Sequence, residues 1–166
     1  MRKHVVGVVV VSLAFATVSL FAQAGGKSKA DPRLRTALDE VSLKYSEILN
    51  GAFRLQFTLG KERTQAVFAE SRTTTIGIIE VREVWAIGWK GRKAPSAEIA
   101  NKLLLDNAGK KVGAWELNKQ ADGGFYATFR VKAAADCDGE ALKTIASAVA
   151  QTADQMEKEI LGTDEF

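Results

Sequence analysis

The sequence predicts an α+β domain: a five-stranded antiparallel sheet with three helices, in the order α-β-β-β-α-β-β-α. Three observations carry this. Phe53, Leu55, Phe57 and Leu59 alternate with Arg54, Gln56 and Thr58, the period-two pattern of a strand with one buried face. Gly60-Lys61-Glu62 and Asp122-Gly123-Gly124 are short turn signals that join such strands into antiparallel hairpins. From Gly139 to Leu161, residues Leu142, Ile145, Val149, Ala153, Met156 and Ile160 recur at steps of three and four. They line one side of a helix about 33 Å long, and that stripe needs a sheet to cover.

In chain order, Asp31-Pro32 reads as a helix start, with an aspartate cap and a proline suited to the first helical position. Leu34, Leu38, Val41, Tyr45 and Ile48 line one face of that helix, and Asn50-Gly51 closes it. The strand Phe53–Leu59 and a second, Thr64 to Glu70, form the first hairpin. Ser71 to Thr75 reads as a polar connection, and Ile76 to Trp89 as a longer extended stretch bulged near Gly77. Alternation there places Val81, Trp85, Ile87 and Trp89 on one face and Glu80, Arg82 and Val84 on the other. Ser96 caps a short helix from Ala97 to about Asp106 whose apolar face is Ile99, Leu103 and Leu104, with Gly109 available for a left-handed residue. The fourth strand, Val112 to Asn118, and the fifth, Phe125 to Lys132, flank the Asp122-Gly123-Gly124 turn. Asp136-Cys137-Asp138 caps the last helix, whose polar side carries Lys143, Gln151, Asp154, Glu157 and Lys158.

The first two dozen residues are of a different kind. Arg2, Lys3 and His4 precede an almost wholly apolar run, Val5 to Phe21, and Ala22-Gln23-Ala24 offers small residues at a signal-peptidase cut. Residues 1–24 are thus expected to be a signal peptide, 25–30 a polar lead and 31–166 one domain of a periplasmic or secreted protein. Left uncut, the same run would be an anchor, the one route to membrane contact. Without Arg2 and Lys3, 21 basic residues face 20 acidic ones. No electrostatic footprint for nucleic acid survives.

The cut also removes His4, the only histidine. A Ser-His-Asp or Cys-His relay and a histidine-based zinc site are excluded from the remainder. Glu80 and Glu83 fall on opposite faces of a strand, and the adjacent Asp39 and Glu40 diverge on a helix, so no paired-carboxylate site forms. Capping accounts for Asp136, Asp138 and Glu140 without calcium. No catalytic residue, metal or cofactor is expected. Cys137 is a lone cysteine, either a tolerated thiol or a reactive one able to form an intermolecular disulfide.

Several segments resemble the YbjN family, which is similar in turn to the class I chaperones of type III secretion. They are TQAVFAES (Thr64–Ser71), VREVWAIGW (Val81–Trp89), LLLDNAGKKVGAWEL (Leu103–Leu117) and ALKTIASAVAQTADQMEKEI (Ala141–Ile160). The resemblance covers Arg33 to Phe166. It implies a type III secretion chaperone-like fold, no catalytic residues, a protein partner and a fold that permits a homodimer. The chain is therefore expected to be an exported, non-enzymatic interaction or chaperone-like module, with Trp85, Trp89, Trp115 and Phe125 as its partner or ligand surface. Binding of a small apolar ligand or lipid between sheet and helices is the alternative, and an unrecognised hydrolase is the third class.

Overall fold

The computed structural model describes residues 29–60 and 62–166. The expected signal peptide, most of the polar lead and Lys61 lie outside the described residues. The class is α+β with three helices and a wholly antiparallel sheet, but the sheet has six strands and the order is α-β-β-β-β-α-β-β-α.

The added strand comes from the segment expected to finish the first helix. Helix α1 (Pro32–Glu40) starts as the sequence predicts, with the Asp31 side chain accepting from the Arg33 amide at 2.9 Å and proline in its first turn. It stops early because Ser42 adopts a left-handed φ of 53° and Leu43 N–H donates to the Leu38 carbonyl at 3.2 Å. Tyr45–Glu47 then becomes β1 and pairs with β2 (Phe53–Leu59), Tyr45 opposite Leu55 and Glu47 opposite Phe53. Tyr45 and Ile48 matched a helical period, yet the ladder offered by β2 satisfies this backbone instead.

The second correction lies in the middle of the chain. Ser71 to Thr75 is not a connection; it continues β3 (Arg63–Ile76), which turns through Gly77 and Ile78 into β4 (Ile79–Gly91). Gly77 has φ +60°, as the first central residue of a two-residue hairpin turn requires. A hairpin thus stands where a bulge was expected. The bulges fall elsewhere, between Ala69 and Thr73 and between Ile87 and Trp89.

The remaining elements follow their signals closely. Helix α2 (Ala97–Asn107) is capped by Ser96, strands β5 (Ala114–Lys119) and β6 (Phe125–Ala134) flank the Asp122-Gly123 turn, and α3 spans Gly139–Ile160. Gly113 (φ +75°), not Gly109, is the left-handed residue after α2. Asp138 caps α3, accepting from the Ala141 amide at 2.8 Å.

Strand order is β1-β2-β3-β4-β6-β5. Helix α3 packs against β4, β3 and β6, with α1 beside it. Its buried side is Leu142, Ala146, Val149, Ala150, Ala153 and Met156. Small residues on both partners bring helix and sheet close: a Cβ at Gly88 of β4 would lie 3.2 Å from the Ala153 carbonyl oxygen. Glu157, expected on the polar side, is fully buried. The face of the sheet away from α3 has no helix packed on it among the described residues.

Candidate functional site

The bulge between Ile87 and Trp89 decides where the predicted surface residues go. One extra residue, Gly88, reverses the alternation, so the inward set is Arg82, Val84, Ala86 and then Trp89. Trp85 points to the open face. Trp89 and Trp115 are buried in the core, and Phe125 packs half-buried at its margin. The four residues expected to form one surface therefore do not meet, and the expectation that Trp85 and Trp89 share a face is overturned.

On the open face Trp85 is locked in place rather than presented. It stacks on Phe68 with ring centroids 4.4 Å apart and donates its indole N–H to Glu70 at 3.0 Å. Arg130 lies 5.6 Å from the Trp85 ring and pairs with Glu83 and, at 2.9 Å, with Glu116. Each charge in this patch has a partner, which suits a solvated sheet face.

Trp115 marks a different place. Its indole N–H donates to Asp106 at 2.7 Å and its amide to the Asn107 side chain at 2.7 Å, both at the end of α2. These bonds hold α2 against β5 at one end, and a cleft of about 200 Å3 opens along the rest. Pro95, Ala100, Leu103, Leu104, Trp115 and Leu117 form its apolar wall. Leu103 is buried, whereas Leu104 is 65%, Leu105 75% and Leu117 49% exposed. Strand β5 is last in the sheet order, so its outer edge faces no further strand among the described residues.

Two charged clusters escaped the sequence reading. In the first, Arg82 is only 1% exposed. Its guanidinium donates to the carbonyls of Ala135 (2.7 Å) and Glu70 (3.1 Å) and to the Asp31 carboxylate (2.9 Å). Arg33 bridges Asp31 and Glu80 on the surface, and Thr73 donates to Glu80 at 2.7 Å. Burial pushes the Asp31 carboxyl up, but hydrogen bonds from Arg33 and Arg82 prevail and hold its pKa at about 2. Hydrogen bonds from Arg33 and Thr73 likewise lower Glu80 to about 2. The signal was available: Arg82 stands two residues before Val84 and four before Ala86, in the same inward frame.

In the second cluster, carboxylate oxygens of Asp154, Glu157 and Asp164 lie within 4.8 Å of one another, a spacing that suits a cation. That cation is Arg63, at 2.6 Å from Asp154, 3.3 Å from Glu157 and 3.8 Å from Asp164. Burial raises the Glu157 pKa against the Glu165 amide and the Arg63 charge.

Cys137 is half-buried. Burial raises its thiol pKa against the Arg82 charge, and Asp138 and Asp136 add to the rise. No helix among the described residues is long and apolar enough to cross a membrane. No family model matches the chain, and no curated protein matches it.

Proposed function

We propose that this chain is an exported, non-enzymatic protein-interaction module of YbjN-like, chaperone-like character. Its partner is a segment of another polypeptide that lies along the outer edge of β5 and places an apolar side chain in the cleft beneath α2. The observation that carries this reading is the pair Leu104 and Leu117, each about half or more exposed on an apolar cleft beside the edge strand β5. Burying an exposed leucine contributes roughly 1.5–3 kcal/mol. An edge strand adds backbone hydrogen bonds to a partner in extended conformation.

The charged groups support the non-enzymatic half of the proposal. The acidic cluster holds an arginine, and the Cys137 thiol is pushed away from its reactive form. His4 is the only histidine of the sequence and lies outside the described residues. Export rests on the apolar run and the Ala22-Gln23-Ala24 site.

Affinity capture from cell envelopes, comparing wild type with Leu104→Asp/Leu117→Asp, tests the reading. A partner that is captured by wild type and rebinds it as a pure protein should lose at least about tenfold in affinity for the charged variant. Equal binding to both would remove the cleft from consideration.

A further inference from the structure

Strands β3 and β4 part at one end of the sheet. Their ladder begins at Phe68 opposite Trp85, so Arg63–Val67 on β3 and Ile87–Gly91 on β4 run on past it. Within this fork the Gln65 side chain, fully buried, reaches across to donate to the Ile87 carbonyl at 3.1 Å. The end of the chain fills the mouth. Gly162, at φ +70°, stops α3 and turns the last four residues back.

The contacts made by those residues are of three kinds. Backbone groups are held first: Arg63 donates to the Thr163 carbonyl at 2.8 Å, the Glu165 amide donates to Glu157, and the Ala66 amide donates to the Phe166 oxygen at 3.1 Å. Carboxylates come next. The Thr64 amide meets Asp164 at 3.3 Å, and Lys90 pairs with Glu165 at 3.3 Å. Last is an aromatic ring: Lys90 lies 4.9 Å from the centre of Phe166, which shares a cleft of about 220 Å3 with Arg54, Ala66, Phe68 and Ile87. Any peptide can make the backbone contacts. The other two select acidic residues followed by an aromatic one.

We propose that this fork is a docking slot for a segment of a second protein that carries acidic residues followed by an aromatic one, and that Thr163–Phe166 is its resident occupant, displaced when the partner binds. Cations and backbone donors converge there on Thr163–Phe166, which is the chemistry such a ligand needs. The fork lies between β3 and β4, and β6 separates it from β5, so this proposal and the α2–β5 cleft can fail independently.

The test uses full-length chain and a fluorescein-labelled Gly-Thr-Asp-Glu-Phe peptide. A tethered tail competes at an effective concentration of order millimolar, so wild type should bind the probe weakly. The full-length variant Asp164→Lys/Glu165→Lys/Phe166→Ser carries a tail repelled by Arg63 and Lys90. It should bind the probe at least about tenfold more tightly than wild type. Adding Lys90→Glu should cost about three- to fivefold, and a probe with lysines in place of its two acids should not bind. A folded triple variant that ignores the probe, or binds both probes alike, overturns the proposal. So does a wild-type chain that is dimeric only while its tail is intact, since the fork would then serve a second copy. If the triple variant does not fold, amide resonances of wild type at millimolar probe decide. Shifts at Thr64 and Ala66 support displacement of the tail, and unmoved signals overturn it.

Discussion

Replacing Asp31 by asparagine removes the charge that the buried Arg82 shares with Arg33 on the surface. Asparagine still caps α1, because the side-chain oxygen that accepts from the Arg33 amide is kept. With that oxygen so used, the amide nitrogen faces the guanidinium, and Arg82 retains only the Ala135 and Glu70 carbonyls. The cost follows from the Asp31 pKa, lowered from 3.8 to about 2. At about 1.4 kcal/mol per unit this corresponds to roughly 2 kcal/mol of stability at neutral pH. Breaking a buried pair from one side costs about 3–5 kcal/mol when nothing else compensates, and the two carbonyls offset part of that here. The expected loss is about 2–4 kcal/mol, read from urea unfolding followed by tryptophan fluorescence at pH 7. Because the folded-state pKa lies below the unfolded one, the contribution is complete above pH 3.8 and fades as pH falls toward 2. About half of it should remain at pH 3. Asp31→Ala should cost about 1 kcal/mol more, for the lost cap. A variant Asp31→Asn within about 0.5 kcal/mol of wild type at pH 7 would refute the reasoning, as would a difference that acid leaves unchanged.

Three further outcomes follow from packing and charge. Gly88→Ala should lower stability by about 1–3 kcal/mol, seen as a lower calorimetric midpoint, because its Cβ would lie 2.5 Å from the Trp115 ring. An unchanged midpoint would mean that the Trp115 ring does not press on the bulge. Glu157→Gln should flatten the pH dependence of stability. The Glu157 pKa is raised on folding, so its neutral form stabilises fully below 4.5 and that contribution is lost as pH rises through the folded-state value. Denaturant midpoints at pH 4 and pH 7 should therefore favour wild type more at the lower pH, and parallel midpoints would contradict this. Cys137 should alkylate with iodoacetamide several-fold more slowly than a free cysteine at pH 8, followed by mass spectrometry, since burial raises its thiol pKa. A rate equal to that of the free amino acid would count against the assigned environment.

Where local signals and tertiary pairing agree, the chain reads true. Ser96, Asp138, Gly123 and the alternation in Phe53–Leu59 each specify an element by themselves. The failures have one cause, which is competition between a local period and a long-range partner. Tyr45 and Ile48 fit a helix until β2 offers a ladder, and threonines 73–75 look like a loop until β4 pairs with them. In β4 the frame was set by the tryptophans, the bulkiest residues. A single inserted glycine puts Trp85 and Trp89 on opposite faces, whereas Val84 and Ala86 would have set the frame correctly and revealed Arg82. The candidate cleft was legible only in Trp115. Leu104 and Leu117 look like ordinary core positions, and only the sparse packing of α2 on β5 leaves them at the surface.

The α2–β5 cleft is the centre of the account, and site-specific photo-crosslinking in living cells tests it most directly. A photo-reactive phenylalanine analogue in place of Leu104 should give adducts with one polypeptide of defined mass, and Leu117→Asp should abolish them. The same analogue at Thr144, on the exposed side of α3, serves as the control. Adducts no stronger at position 104 than at 144 would contradict the account.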